Sequence, residues 1–185
     1  MRWWTLLFGL LTAALSVALI LEARENHRLR DLLDRQAAHQ ARARGLAEGR
    51  ALEPFTLRDA AGDEVRVDFA GDLSGSLLLF HARSCGACES SVAFWREALA
   101  RANRPDVRVL CIQTDAAEGA LHDLQGLPSS LAVPLPPTGW LAALPAVPAT
   151  LVVDGYGVLT RAWYSEIDAG GAHELAGVLA SLQPR

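Results

Sequence analysis

With 185 residues, 51% of them hydrophobic, the chain can bury one good core plus an appendage, but hardly two domains. Its 17 basic residues are all arginine, set against 21 Asp and Glu for a net charge of −4. From residue 51 onward 9 Arg face 16 acids, and an acidic domain with no basic stripe argues against nucleic acid as a partner.

The mean hydropathy of +0.17 is high for a soluble protein, and one segment accounts for it. Trp3 to Leu21 runs 19 residues without a charge, enough to cross a bilayer core as a helix, with Trp3 and Trp4 at the interface. A cleaved signal peptide is the competing reading. Its apolar stretch would be unusually long, and no small-x-small site follows cleanly. Residues 1–21 are therefore expected to form an uncleaved transmembrane anchor. Residues 22–50 contain no proline, and their first glycine is Gly45. Their charges alternate in sign, and Leu29, Leu32, Gln36, His39, Ala43 and Leu46 recur at 3–4 spacing. This predicts a helical stalk, chiefly a solvated spacer, with a weak dimer through the stalk as the alternative.

Residues 51–185 form the expected globular domain. Phe55 and Leu57, then Val65, Val67 and Phe69, alternate with polar residues around Ala60-Ala61-Gly62-Asp63, which reads as a β-hairpin. Leu77–His81 begins with four apolar residues and reads as a buried central strand. Gly86–Ala102 carries Val92, Trp95, Leu99 and Ala100 at helical spacing, and Val107–Ile112 is apolar again. Strand, helix, strand of this length is a βαβ unit with parallel strands. Residues 116–146 are less regular, with helical pieces expected around Glu118–Leu124 and Gly139–Leu144 and a proline-rich loop at Pro134–Pro137. Thr150–Val153 and Val158–Tyr164 flank the turn Asp154-Gly155-Tyr156-Gly157 as a second hairpin. An amphipathic helix from His173 to Leu182 closes the chain.

The stretch that carries chemistry is Ser84-Cys85-Gly86-Ala87-Cys88-Glu89, at the junction of the central strand and the helix. Cysteines at i and i+3 in a first helical turn share a face and can close a disulfide. Cys85 sits where the helix presents unpaired N–H groups and its positive end, which stabilise a thiolate, while Cys88 lies one turn inside. Two other readings compete with redox chemistry. A zinc pair needs two further ligands, yet Cys111 stands alone and His81, His122 and His173 form no paired spacing. A structural disulfide closing so short a loop restricts the unfolded chain little. Cys111, inside a strand, is expected to be a buried, inert thiol.

Some sixty residues beyond the cysteines, Ala146-Val147-Pro148-Ala149-Thr150-Leu151-Val152-Val153-Asp154 places a proline just before an apolar strand. Together with the C-x-x-C, the element order and an offset Pro54, Phe55, Leu57, Gly62, this resembles the thioredoxin superfamily. Within it, the chain looks like the TlpA/ResA-like branch of membrane-anchored thiol–disulfide oxidoreductases, over roughly residues 52–183. The resemblance implies an α/β fold: a central mixed sheet flanked by helices, with an N-terminal hairpin extension. It implies Cys85 as nucleophile, Cys88 as resolving thiol, Pro148 as a cis proline facing the sulfurs, and Val147 offering backbone groups to an extended substrate. No small-molecule cofactor or metal is implied beyond the redox-active Cys85–Cys88 disulfide; the partners are protein thiols and disulfides, and a membrane electron donor.

Several positions depart from the branch. Ser84 stands where it usually has Trp, and the dipeptide is Gly86-Ala87 without proline. Leu77–Phe80 carries no buried acid, and Ser91 stands where many members have Glu. His81, Arg83 and Glu89 are the nearby candidates for tuning the thiols. Disulfide chemistry needs an oxidising compartment, so the domain is expected on the periplasmic side of the cytoplasmic membrane. Arg24, Arg28 and Arg30 after the anchor, against Arg2 alone before it, favour the opposite orientation. The rival function is a copper-binding module using the same cysteines as soft ligands, although such sites more often show C-x₃-C with a distal histidine. A peroxiredoxin would need P-x-x-x-[ST]-x-x-C before Cys85, and none is present.

Overall fold

A computed structural model of the chain describes residues 3, 4, 16, 19–25, 45–69, 71–115, 121, 123–133, 137 and 139–184. It divides into two units, Met1–Gln40 and Ala41–Arg185. In the first, Trp3, Trp4, Ser16 and residues 19–25 are helical, and Trp3, Trp4, Leu19, Ile20 and Leu21 are exposed. Among the described residues no helix is long and apolar enough to cross a membrane. Most of the expected anchor, and residues 26–44 of the expected stalk, lie outside the described residues.

The second unit runs β1 (Phe55–Arg58), β2 (Glu64–Val67), β3 (Gly75–His81), α1 (Gly86–Ala102), β4 (Val107–Gln113), β5 (Leu131–Ala132), a 3₁₀ turn at Gly139–Ala143, β6 (Ala149–Asp154), β7 (Leu159–Trp163) and α2 (Ala169–Ser181). The strands form one mixed sheet in the order β2-β1-β5-β4-β3-β6-β7. β3 is buried along its whole length because it has a neighbour on each side, β4 parallel and β6 antiparallel. Such a strand, covered on both faces, needs an uninterrupted apolar run, and Leu77–Phe80 supplies it.

Strand alternation then divides the core. Leu78, Phe80, Ile112, Leu151 and Val153 face one side with Phe55, Leu57, Trp140 and Tyr164. Leu77, Leu79, Cys111 and Val152 face the other, against Trp95 and Ala98 of α1 and Ala172, Leu175 and Leu179 of α2. Trimming one of the leucines, Ile112 or an aromatic residue among these to alanine costs about 2–5 kcal/mol by lost transfer and cavity formation. Gly75 is required by packing: a Cβ there would lie 2.5 Å from the Val153 carbonyl oxygen and 2.9 Å from Leu182 Cδ1. The polar residues beside it are partnered. Ser74 Oγ donates to Asp106, and Ser76 Oγ accepts from Arg108 at 3.1 Å. The Arg104 guanidinium pairs with Asp106 at 2.7 Å and donates to the carbonyls of Leu179, Ala180 and Leu182, closing the C-terminal end of α2.

The structure alters three expectations. Gly45–Arg50, assigned to the helical stalk, are not helical and belong to the globular unit, where Leu46 is buried. The helix expected around Glu118–Leu124 lies mostly outside the described residues, and Leu121, Asp123 and Leu124 are not helical. β5, only two residues long, was not foreseen, because it forms through pairing with β4 and β1 rather than through its own sequence.

Candidate active site

The site is assembled where β3 ends and α1 begins. The end of β3 is pinned to the end of β4: Thr114 N–H and Oγ1 donate to the His81 carbonyl at 2.9 and 3.2 Å, and Arg83 N–H donates to the Asp115 carboxylate at 2.9 Å. The chain then turns into α1 with Cys85 as N-cap in an extended conformation (φ −102°, ψ 98°). Cysteine takes the place that Ser, Thr or Asp fill at most helix starts: its sulfur accepts the Cys88 N–H at 3.1 Å. Asn103 ends the helix in the left-handed region, donating its N–H to the Leu99 carbonyl.

Cys85 and Cys88 are joined as a disulfide with Cα atoms 5.2 Å apart. Cys85 is partly exposed, whereas Cys88 is 1% exposed. The first turn of α1 is held from beneath by Ser91, fully buried, which donates to the Ala87 carbonyl at 2.8 Å and accepts from Ile167 N–H at 3.3 Å. Thus the position where an acid was missed in the sequence is a serine tying α1 to the loop before α2. Deeper in α1, Trp95 Nε1 donates to Thr150 Oγ1 at 2.9 Å.

Thr150 is the second residue after Pro148. The Val147–Pro148 peptide bond is cis, a form that X–Pro bonds reach at about 0.5–1 kcal/mol over trans. Ala149 lies opposite Phe80 in the β3–β6 register, so Val147 and Pro148 stand at the strand end from which the Cys85 turn departs. Beside Val147 lies a cavity of about 250 Å³, lined by Thr114, Val133, Leu141, Leu144 and Ala146, with no charged group among the described lining residues.

The remaining candidates are dispersed. Glu89 and Arg83 are exposed. His81 is fully buried, with Nε2 3.0 Å from Ser130 Oγ, so it serves the interior beside β5. Cys111 is fully buried opposite Leu79, and burial first, then the Asp123 charge, pushes its thiol up to about 12. Among the described residues no group of three or more His, Cys, Asp or Glu could hold a metal ion. Sequence reasoning missed Ser130, Thr150 and the structural part of Ser91, whose partners lie 49 to 76 residues away.

Solved structures share this fold. A thiol:disulfide interchange protein, DsbE, from Chlorobium tepidum is matched at a TM-score of 0.59 and 22% identity, over 75% of this chain and 100% of that one. The thioredoxin domain of a thiol-disulfide oxidoreductase from Bacteroides vulgatus gives 0.56 and 16%, over 73% and 99%. A thiol:disulfide interchange protein from a Bacteroides species gives 0.58 and 16%, over 74% and 91%. No family model matches the sequence, and no curated protein matches it significantly. The chain has the thioredoxin fold.

Proposed function

We propose that this chain is a membrane-anchored, extracytoplasmic thiol–disulfide oxidoreductase of the TlpA/ResA-like kind, exchanging disulfides with protein partners through Cys85 and Cys88. One observation carries the reading: a bonded cysteine pair at a helix N-terminus, asymmetric in exposure, beside a cis proline at the neighbouring strand end. The names of the matched thioredoxin-fold proteins support it.

In the reducing direction the Cys85 thiolate attacks a substrate disulfide, forming a Cys85–substrate bond and expelling one substrate thiolate. Cys88 loses its proton and attacks the Cys85 sulfur, forming the internal disulfide and releasing the second thiolate. Two electrons pass to the substrate, and a dithiol donor in the membrane restores the reduced pair; the oxidising direction is the reverse. The Cys88 N–H now bonded to the Cys85 sulfur is placed to stabilise the thiolate. Val147 offers its backbone to an extended substrate segment, and the uncharged cavity beside it suits a protein partner.

Mixing the reduced full chain with insulin tests the activity. Each chain should reduce one disulfide and end with Cys85 and Cys88 joined, and Cys85→Ser should abolish the reaction; reduction that survives Cys85→Ser would overturn the reading. Location follows from the same chemistry and from the uncharged segment Trp3–Leu21. A phosphatase that is active only outside the cytoplasm, fused after Arg185, should be active. Activity of a cytoplasm-only reporter there would contradict it. The copper-binding alternative rests on two sulfurs alone, since no third ligand joins them among the described residues.

A further inference from the structure

Disulfide exchange asks for one thing that the cysteine pair does not provide. Cys88 is 1% exposed, and its thiol must give up a proton before its sulfur can attack Cys85. Ser91, the next buried residue on that face of α1, has its hydroxyl bonded to the Ala87 carbonyl and the Ile167 N–H, and a serine hydroxyl is no base at neutral pH.

The sheet beneath carries a base. By strand alternation Leu77, Leu79 and His81 face α1, and the first two pack in one cluster with Trp95 and Ala98. The Trp95–Thr150 bond fixes the height of the helix, because Thr150 is the register partner of Leu79. His81 is the next α1-facing residue towards the cysteine turn, about 6.6 Å further along β3. On the inner face of α1 the buried positions beyond Trp95 are Ser91, about 6 Å along the axis, and Cys88, about 10.5 Å along it. His81 therefore lies under the turn that spans Ser91 and Cys88.

His81 is fully buried, with Nε2 3.0 Å from Ser130 Oγ and the buried Gln113 as its partner in β4. A neutral imidazole keeps one nitrogen able to take up a proton, whichever tautomer the Ser130 bond selects. The other ionisable groups around it, among the described residues, are unsuited. Glu89 on α1, Asp123 in the loop before β5, and Arg83 and Asp115 past the ends of β3 and β4 are all exposed. Cys111, one row further from the cysteine turn, is held protonated by its burial. From β6, the α1-facing Thr150 is uncharged and bonded to Trp95.

We propose that His81 is the proton acceptor for Cys88, with Ser130 orienting its imidazole; the proposal rests on the exchange chemistry described above. In the reducing direction the Cys88 thiol proton passes to His81. The Cys88 sulfur then bonds to the Cys85 sulfur, and the Cys85–substrate bond breaks with its electron pair on the substrate sulfur. The imidazolium releases the proton to solvent once the internal disulfide has closed. In the oxidising direction His81 returns a proton to the departing Cys88 sulfur.

The test is the stopped-flow reaction of the reduced full chain with dithiobis(nitrobenzoic acid), an aromatic disulfide that releases a coloured thiolate at each step. The first release reports attack by Cys85 and the second reports closure by Cys88, so Cys88→Ser should show the first alone. His81→Gln, whose amide can still bond Ser130, should leave the first release within about two-fold and slow the second about 10²-fold at pH 7, the low end for a placed base. The wild-type second rate should level off by about pH 8, above the titration of an imidazole. In the variant it should keep rising about ten-fold per pH unit, because only thiolate already formed can attack. Ser130→Ala should slow the second release by less, and decides the matter if His81→Gln fails to fold. A second release with the wild-type rate, or a slower one with the wild-type pH profile, would overturn the proposal. A wild type that lacks the first release would instead contradict Cys85 as nucleophile, and with it the reading on which this proposal rests.

Discussion

Trp95 and Thr150 are joined by a buried hydrogen bond of 2.9 Å, indole N–H to hydroxyl, across 55 residues of sequence. The bond fastens α1, which follows its N-cap Cys85 and carries Cys88 in its first turn, to β6 two residues after the cis Pro148. Both partners are fully buried. The packing of α1 against β6 therefore includes a polar contact within a largely apolar layer, which favours one arrangement where apolar contact alone would tolerate several.

Breaking that bond from one side should be costly. Thr150→Val leaves the Trp95 N–H buried without its acceptor, a loss of about 1–3 kcal/mol. Trp95→Phe should cost at least as much, because it removes the donor and leaves a void. Urea unfolding with an unchanged m-value measures both, and the double variant should lose less than the sum of the singles. Strict additivity would show that the two side chains do not interact.

Legibility in the sequence followed locality. Gly86–Ala102 was readable to its ends because periodicity, the N-terminal cysteine and the break at Asn103 all lie within the segment. β3 was readable as four apolar residues but begins at Gly75, since Ser76 is buried on the strength of a bond from Arg108. Leu46 fitted the helical spacing of the stalk, but it is core, bonded to Tyr164 118 residues away. The cysteines and Pro148 were legible as a pattern. Ser91, Ser130 and Thr150 were not, because a buried hydroxyl looks like a surface one until its distant partner is known. Gly45 offered a signal, as the first glycine after a long stretch without one.

The reduced chain at neutral pH should be alkylated by iodoacetamide first at Cys85, the partly exposed N-cap residue, then at Cys88. Cys111 should react only after unfolding. Peptide mapping over a time course reads the order, and earlier labelling of Cys88 would reverse the assigned roles.

Cys111 should also make stability pH-dependent. Its folded value is raised, from an ordinary 9.0 to about 12, so its stabilising effect is complete below 9 and is lost as pH climbs towards 12. In that window the oxidised wild type should lose up to about 1.4 kcal/mol per pH unit more than Cys111→Ala. Tyr164, raised by burial, titrates in both proteins and cancels. Parallel stability curves from pH 8 to 11 would show that Cys111 is not held neutral by its burial.

The redox poise follows from what surrounds the outer sulfur. A helix N-terminus and the Cys88 N–H favour the Cys85 thiolate, the apolar run Leu77–Phe80 brings no buried carboxylate to oppose it, and Glu89 is exposed and screened by solvent. A stabilised thiolate makes a better oxidant. The reduction potential should therefore lie above thioredoxin's roughly −270 mV, each 30 mV corresponding to about 1.4 kcal/mol. Equilibration with glutathione buffers measures it, and a value at or below thioredoxin's would refute this balance of effects.

The most direct measurement is to trap the exchange intermediate. The full chain carrying Cys88→Ser, expressed in its own cells and quenched with acid and alkylating agent, lacks the thiol proposed to resolve the first step. It should accumulate mixed disulfides with partner proteins, all joined at Cys85, that disappear on reduction and are absent from Cys85→Ser. A Cys88→Ser chain that stays free of partners, or partners joined at Cys111, would contradict disulfide exchange through Cys85.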